Sequence, residues 1–479
     1  MFKRSLRLMM ATLNNTTPPA PAAAAAAAAG APRVPIPPNG VDYRNKVVLA
    51  PMVRSGELPS RLLALKYGAD LVWGPETIDR ALIGCTRRIN PRNACVEFTR
   101  LPSNGGRTDK PPKESIIYRL DPERERGRLI FQIGTADPAL AVQAATLVAG
   151  DVSGIDVNSG CPKPFSTSGG MGAALLQTPD KLVAILEALV EQVGKPFRIG
   201  ISVKIRLLAD PEKTRQLVTR LVKTGITGLT VHCRTTPMRP RERAIREQMP
   251  MIAEICRDAG VAVLMNGDVT SRDDAMALMK EYAVDGAMIA TSAEANSSCF
   301  RAEADGGLAG WREVVHEYVR FALLVENKWG NTKYLLNMLI PGKAKEFAKA
   351  KCSRSYTEAC GVLGFEDLKE LAREVDVVIG TAVDGEVEGG VVRKKSPAVQ
   401  KAMSENESAR AAGIAGMSGS VGGGKTGRDR GVGASNGKKT EPVRTGLEME
   451  TGGLDITATP IDASAAGTEN VPATSPVQV

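Results

Sequence analysis

Residues 201–235 read ISVKIRLLADPEKTRQLVTRLVKTGITGLTVHCRT. Two short β-branched runs, "ISVKIRL" and "GLTVHCR", flank "DPEKTRQLVTRLVKTG", whose apolar residues recur every three or four positions, the period of an amphipathic helix. The same alternation runs outward in both directions. "VVLAP" from Val47, "LVWG" from Leu71, "LIFQIGT" from Leu129, "GIDVNSG" from Gly154, "VAVLMNG" from Val261 and "GAMIAT" from Gly286 complete a set of eight strands. Most are separated by helical stretches such as "DKLVAILEALVEQVG". Eight strand–helix units in roughly 250 residues fit a closed (β/α)8 TIM barrel of the α/β class. An open doubly wound sheet would carry a glycine fingerprint after its first strand, and "APMVRSGELP" has none.

Composition narrows the functional classes. The hydrophobic share of 43% supports a large core, and the net charge of +9 points toward a polyanionic partner. Eight cysteines form no CxxC pair, which suits a reducing compartment and argues against disulfides and zinc fingers. With only His232 and His316, a multi-histidine metal site is excluded. No apolar run reaches membrane-spanning length, so no membrane partner is expected.

The ends differ from the middle. Residues 1–40 lack acidic residues and open on "MFKRSLRLMM". They read either as a disordered leader or as a mitochondrial presequence within residues 1–15. Residues 379–479 are rich in Gly, Ser, Ala, Thr and Lys and are expected to be a disordered basic tail. Its "GGGKTG" has neither the preceding strand nor the following helix of a phosphate loop. The barrel is assigned to residues 41–305 and a small all-helical domain to residues 306–378.

In such a barrel, chemistry gathers at the carboxyl ends of the strands. Met52, Gln132, Asn158, Lys204, Arg206, His232, Asn266 and Asp268 fall there and interrupt otherwise apolar runs. A lumen holding a lysine and a histidine wants an anionic or carbonyl-rich ligand, and flavin mononucleotide fits. The last two loops, "NGDVTS" and "GAMIATSA", would offer backbone N–H groups to its phosphate.

"LAPMV", "FQIGT", "DVNSGCPK" with "GGMGAALL", "VKIR", "VHCRT" and "NGD", in this order, resemble the tRNA-dihydrouridine synthases over residues 41–375. The longer matches resemble the eukaryotic branch that modifies uridine 20 of the tRNA D-loop. The resemblance implies an FMN-bearing barrel, NADPH as reductant, tRNA as substrate, and a helical domain whose lysines (Lys328, Lys333, Lys343, Lys345, Lys349, Lys351) face phosphates. It implies that Pro51, Met52 and Val53 line the flavin, with Gln132, Lys204 and His232 on its ring and Glu76 near it. Asn266, Gly267 and Asp268 would approach the phosphate, with Ala290 and Thr291 at the eighth strand. Asn158 and Arg206 would hold the uracil, and Cys161 would donate the proton. The family usually has an arginine where this chain has Thr291, so phosphate affinity is expected to rest on backbone amides.

Reduction of uracil needs a hydride at carbon 6 and a proton at carbon 5, and a small thiol over the ring suits the second role. Two alternatives stay open: a flavin oxidoreductase acting on a free pyrimidine, as dihydroorotate dehydrogenases do, and a non-catalytic tRNA-binding protein. Localisation is expected to be cytoplasmic, with nuclear and mitochondrial placement as the alternatives. Oligomeric state is not readable from the sequence.

Overall fold

All eight β-branched runs form strands of one parallel sheet in the computed structural model, which describes residues 34–101 and 114–381. The expected presequence, residues 1–33 of the expected leader and nearly all of the expected tail, with its "GGGKTG", lie outside the described residues. Residues 34–40, expected to be part of the disordered leader, are instead tied to the barrel: the Val34 amide donates to the Gly260 carbonyl at 3.1 Å and the Asn39 amide to the Arg198 carbonyl at 2.9 Å. β1 (Lys46–Leu49) and β2 (Leu71–Trp73) lead to a two-residue strand, β3 (Thr77–Ile78). Next come β4 (Thr86–Ile89), β5 (Val96–Arg100) and β6 (Ser115–Leu120), which form a separate antiparallel sheet. The barrel resumes with β7 (Leu129–Gly134), β8 (Gly154–Ser159), β9 (Gly200–Leu207), β10 (Gly228–Thr235), β11 (Ala262–Asn266) and β12 (Gly286–Ile289). β1 pairs with β12, and Val72 opposite Leu129 joins β2 to β7, which closes the ring.

The helices outside the ring follow the sequence period. The helix Pro179–Leu189 buries Leu182, Ile185, Leu186 and Leu189; the helix Pro211–Leu221 buries Thr214, Leu217, Val218 and Leu221. Each fully buried leucine or isoleucine of these stripes contributes about 1.5–3 kcal/mol before entropy. Their starts are set by proline in the first turn and, at Pro211–Leu221, by the Asp210 carboxylate accepting from the Glu212 amide at 2.9 Å.

The strand–helix alternation fails once, between β2 and β7. Among the described residues the chain there makes β3, the four-residue helix Asp79–Leu82 and then the antiparallel sheet. β4 is exposed along its whole length, so it has no apolar period to read. It is held instead by charge: Arg88 pairs with Glu97 at 3.0 Å and Glu114 at 2.7 Å. Arg61 and Glu125, each 1% exposed, tie the helix Leu58–Lys66 to the turn after β6.

Alternation along the strands turns every second residue into the lumen. Below the site, Tyr43, Val48, Leu71, Trp73, Ile130, Leu264 and Met288 form one apolar cluster. Toward the carboxyl ends the lumen becomes polar in successive layers. Gln132, Asp156 and Ser202 share one level of register, Asn158, Lys204 and Thr230 the next, and Arg206, His232 and Asn266 the next.

Beyond the barrel the chain is helical, and the helix Trp311–Leu324 packs on Leu58–Lys66. The helices Trp329–Leu339, Phe347–Cys352, Tyr356–Leu363 and Lys369–Ile379 follow. Buried Tyr356 centres them: its hydroxyl donates to the Asn327 carbonyl at 2.9 Å and its ring meets Trp329 edge-on. Asp376 accepts from the Tyr356 and Thr357 amides at 3.0 and 2.8 Å.

Candidate functional site

The polar end of the lumen opens into a cavity of about 330 Å³. Pro51, Met52 and Val53 line it after β1, Glu76 after β2, Gln132 from β7, Asn158 from β8 and Cys161 just after it. Lys204 and Arg206 come from β9, His232 from β10, and Tyr334 reaches in from the helical region. Ten of the residues singled out from the sequence therefore share one wall system, although they are spread along the chain from Pro51 to His232.

Cys161 is half-buried on a braced turn. The Asn158 carboxamide oxygen accepts from the amides of Gly160 and Cys161, both at 3.0 Å. Arg206 donates through Nε to the Gly160 carbonyl at 2.7 Å and through Nη1 to the Thr235 carbonyl at 3.1 Å. Asn158 and Arg206 thus spend part of their hydrogen-bonding capacity on the cysteine loop, leaving Arg206 Nη2 and the Asn158 amide group, which also lies beside the Glu76 carboxyl, as donors for a ligand. Burial, reinforced by the nearby Glu76 carboxyl, pushes the Cys161 thiol up, so at neutral pH it carries its proton.

Lys204 makes no hydrogen bond or salt bridge among the described residues, and burial draws its ammonium down to about 8. Beneath it, Asp156 accepts from Gln132 Nε2 at 2.8 Å and from the Ser202 hydroxyl at 2.7 Å. His232 is held neutral: burial, then Lys204, Arg206 and Arg234, bring it down to about 2. Arg234 lies 3.2 Å from His232 Nε2 and can only donate, so Nε2 accepts and Nδ1 carries the proton.

A family model described as Dihydrouridine synthase (Dus) matches residues 48–347. The chain belongs to the dihydrouridine synthase family. It is 49% identical to the tRNA-dihydrouridine(20) synthase (NAD(P)+) of Schizosaccharomyces pombe, over 69% of this chain and 65% of that protein. The match therefore spans just under two thirds of that relative's length. It is 47% identical to the Saccharomyces cerevisiae protein of the same description, over 65% of this chain and 82% of the relative. Identity is 29% to the tRNA-dihydrouridine(20a/20b) synthase (NAD(P)+) of Schizosaccharomyces pombe, over 60% of this chain and 75% of that protein.

Five expected site residues of this dihydrouridine synthase family member stand off the cavity wall: Asn266, Gly267, Asp268, Ala290 and Thr291. Asn266 donates to the Met288 carbonyl at 2.9 Å and clamps β11 to β12. The Asp268 carboxylate is held by Arg234 and by the Ala244 amide at 2.7 Å, so only the backbone of this turn is suited to an anion. Arg246 donates to the Gly267 and Asp268 carbonyls at 3.1 and 3.0 Å, and its Nε is buried without a partner. A cation thus stands at this loop despite Thr291.

Sequence reasoning missed Asp156, Ser166, Arg234, Arg246 and Tyr334. Asp156 and Arg234 lie inside the quoted motifs "DVNSGCPK" and "VHCRT", two positions from Asn158 and His232, so the strand period of two puts each on the same face as its neighbour and could have found both. Tyr334 has no sequence signal, since only folding brings its helix, with Arg54 stacked 4.3 Å over its ring, to the mouth. Among the described residues no group of His, Cys, Asp and Glu could hold a metal, and no helix is long and apolar enough to cross a membrane. A larger concavity, about 520 Å³, is lined by Lys66, Arg272 and Arg301, but each is already engaged by Glu317, Asp70 or the Gly307 carbonyl.

Proposed function

We propose that this protein is an FMN-dependent tRNA-dihydrouridine synthase that reduces the carbon 5–carbon 6 double bond of uridine 20 in the tRNA D-loop, with NADPH as reductant. The observation that carries the reading is the meeting of a protonated Cys161 with Gln132, Lys204 and His232 around one cavity, in a chain of this family. The donor set fits a flavin: an ammonium without a hydrogen-bond partner, a neutral imidazole with a free N–H, and a carboxamide fixed by Asp156. Gln132, Lys204 and His232 would hold the ring edge, with Pro51, Met52 and Val53 along it.

Bound flavin, once reduced, supplies the hydride for carbon 6. The remaining tasks fall to the chain. The free donors of Asn158 and Arg206 orient the uracil carbonyls, and Cys161 gives its proton to carbon 5. The same hydrogen bonds that orient these two side chains also fix the turn carrying the thiol, so substrate and acid are aligned by one frame. Arg54 on Tyr334 and the half-exposed Phe165 offer aromatic and cationic surface to a base leaving its stack.

Lys328, Lys333, Lys343, Lys345, Lys349 and Lys351 form no salt bridge among the described residues, which favours a polyanionic substrate over a free pyrimidine. Mass spectrometry of tRNA from cells lacking the protein tests the function. Loss of the dihydrouridine at position 20 is expected, and its persistence would contradict the reading.

A further inference from the structure

After Cys161 has protonated carbon 5 it is a thiolate and must be recharged before a second turnover. The neighbouring carboxyl, Glu76, is built into the same turn. The Ser166 hydroxyl donates to its Oε1 at 2.9 Å, while its Oε2 is buried without a hydrogen-bond partner. Two glycines make this arrangement possible. A Cβ on Gly134 would fall 2.6 Å from Glu76 Oε1, and one on Gly172 would fall 2.6 Å from the Cys161 carbonyl and closer still to the Ser166 hydroxyl. Gly172 also has φ +57, a conformation that favours glycine.

We propose that Glu76 is the proton relay that restores the Cys161 thiol. This rests on Cys161 being the proton donor of the proposed reaction. The thiol S–H bond breaks as the proton passes to carbon 5, with the hydride for carbon 6 coming from the reduced flavin. The Glu76 carboxylate, whose charge adds to the upward shift of the thiol, takes a proton from water at the cavity mouth and, as the acid, gives it to the thiolate sulfur, returning to the carboxylate. With Oε1 accepting from Ser166, the acidic proton resides on Oε2, the atom without a partner. Burial raises the Glu76 carboxyl above the usual carboxylate range, which keeps the acid form available nearer neutrality. Lys163, Lys204 and Arg206 are the charged groups that face the thiol with it.

Glu76→Gln is isosteric and tests the relay in the holoenzyme. Iodoacetamide labelling of the Cys161 peptide across pH, read by mass spectrometry, is expected to show a lower thiol pKa and about threefold to tenfold faster labelling near neutrality. The first turnover of pre-reduced enzyme with tRNA is expected within about twofold of wild type. Steady-state turnover is expected to fall by about tenfold or more and to recover with imidazole buffer. An unchanged labelling profile would overturn the relay, as would undiminished steady-state turnover. An equal loss in first and later turnovers without buffer rescue would assign Glu76 to positioning and overturn it as well. Failure of Cys161 as the acid is distinguishable, because it appears as a normal first turnover in Cys161→Ala while Glu76 still moves the thiol's labelling.

Discussion

Gln132 Nε2 donates to Asp156 Oδ2 at 2.8 Å inside the barrel, directly below the Lys204 layer. Because Ser202 occupies the other carboxylate oxygen at 2.7 Å, the Gln132 carboxamide has one orientation and presents Oε1 to a ligand. Burial pushes Asp156 up to about 6, so above that pH it is an anion that supports the Lys204 ammonium.

Flavin binding is therefore expected to depend on pH through Lys204. Burial lowers this ammonium to about 8, and the charge is lost as pH rises through that value. FMN affinity, measured by fluorescence titration, is expected to be level below the transition and to fall by up to about tenfold per pH unit above it. In Asp156→Asn the carboxylate support is gone and the fall is expected to begin at lower pH. Affinity that stays level well above pH 8 would show that Lys204 does not bind as a cation.

Arg246 is expected to take over the role of the cation absent at Thr291. Its Nη2 is tied to the Gly267 and Asp268 carbonyls, but Nε has no partner. Arg246→Gln is expected to weaken FMN binding by about tenfold, the scale of one charge-assisted contact to phosphate. Thr291→Arg is expected to strengthen it. Unchanged affinity in both variants would remove the last two barrel loops from the phosphate site.

The Arg61–Glu125 pair predicts a stability effect away from the chemistry. Nε meets Oε1 at 2.6 Å and Nη2 meets Oε2 at 3.1 Å, with both side chains 1% exposed. Glu125→Ala leaves the guanidinium buried without its counter-charge, at a cost of about 3–5 kcal/mol in a denaturant titration. A loss below about 1 kcal/mol would mean that water or Glu57 replaces the lost carboxylate.

The barrel was legible because inward and outward residues obey strict periods: Leu182, Ile185, Leu186 and Leu189 on one helix, Asn158, Lys204 and His232 where apolar strands turn polar. β4 was not legible, because "TRRI" is stabilised by ion pairs and not by an apolar face. Within the site, residue identity was readable but partnership was not. Nothing in the sequence ties Ser166 to Glu76, 90 positions away, or Arg206 to the Gly160 carbonyl. Those contacts arise from ring closure, which brings distant strand ends together. Asn158 and Arg206, expected to serve the substrate, also serve the turn that carries Cys161.

The central claim is that Cys161 protonates carbon 5 of the uracil, and Cys161→Ala tests it in single-turnover stopped flow under anaerobic conditions. The variant is expected to fold, to keep its flavin and to be reduced by NADPH at the wild-type rate, since none of these needs the thiol. Reoxidation by tRNA is expected to slow by about a hundredfold to ten-thousandfold. Reoxidation by tRNA at the wild-type rate would contradict the account.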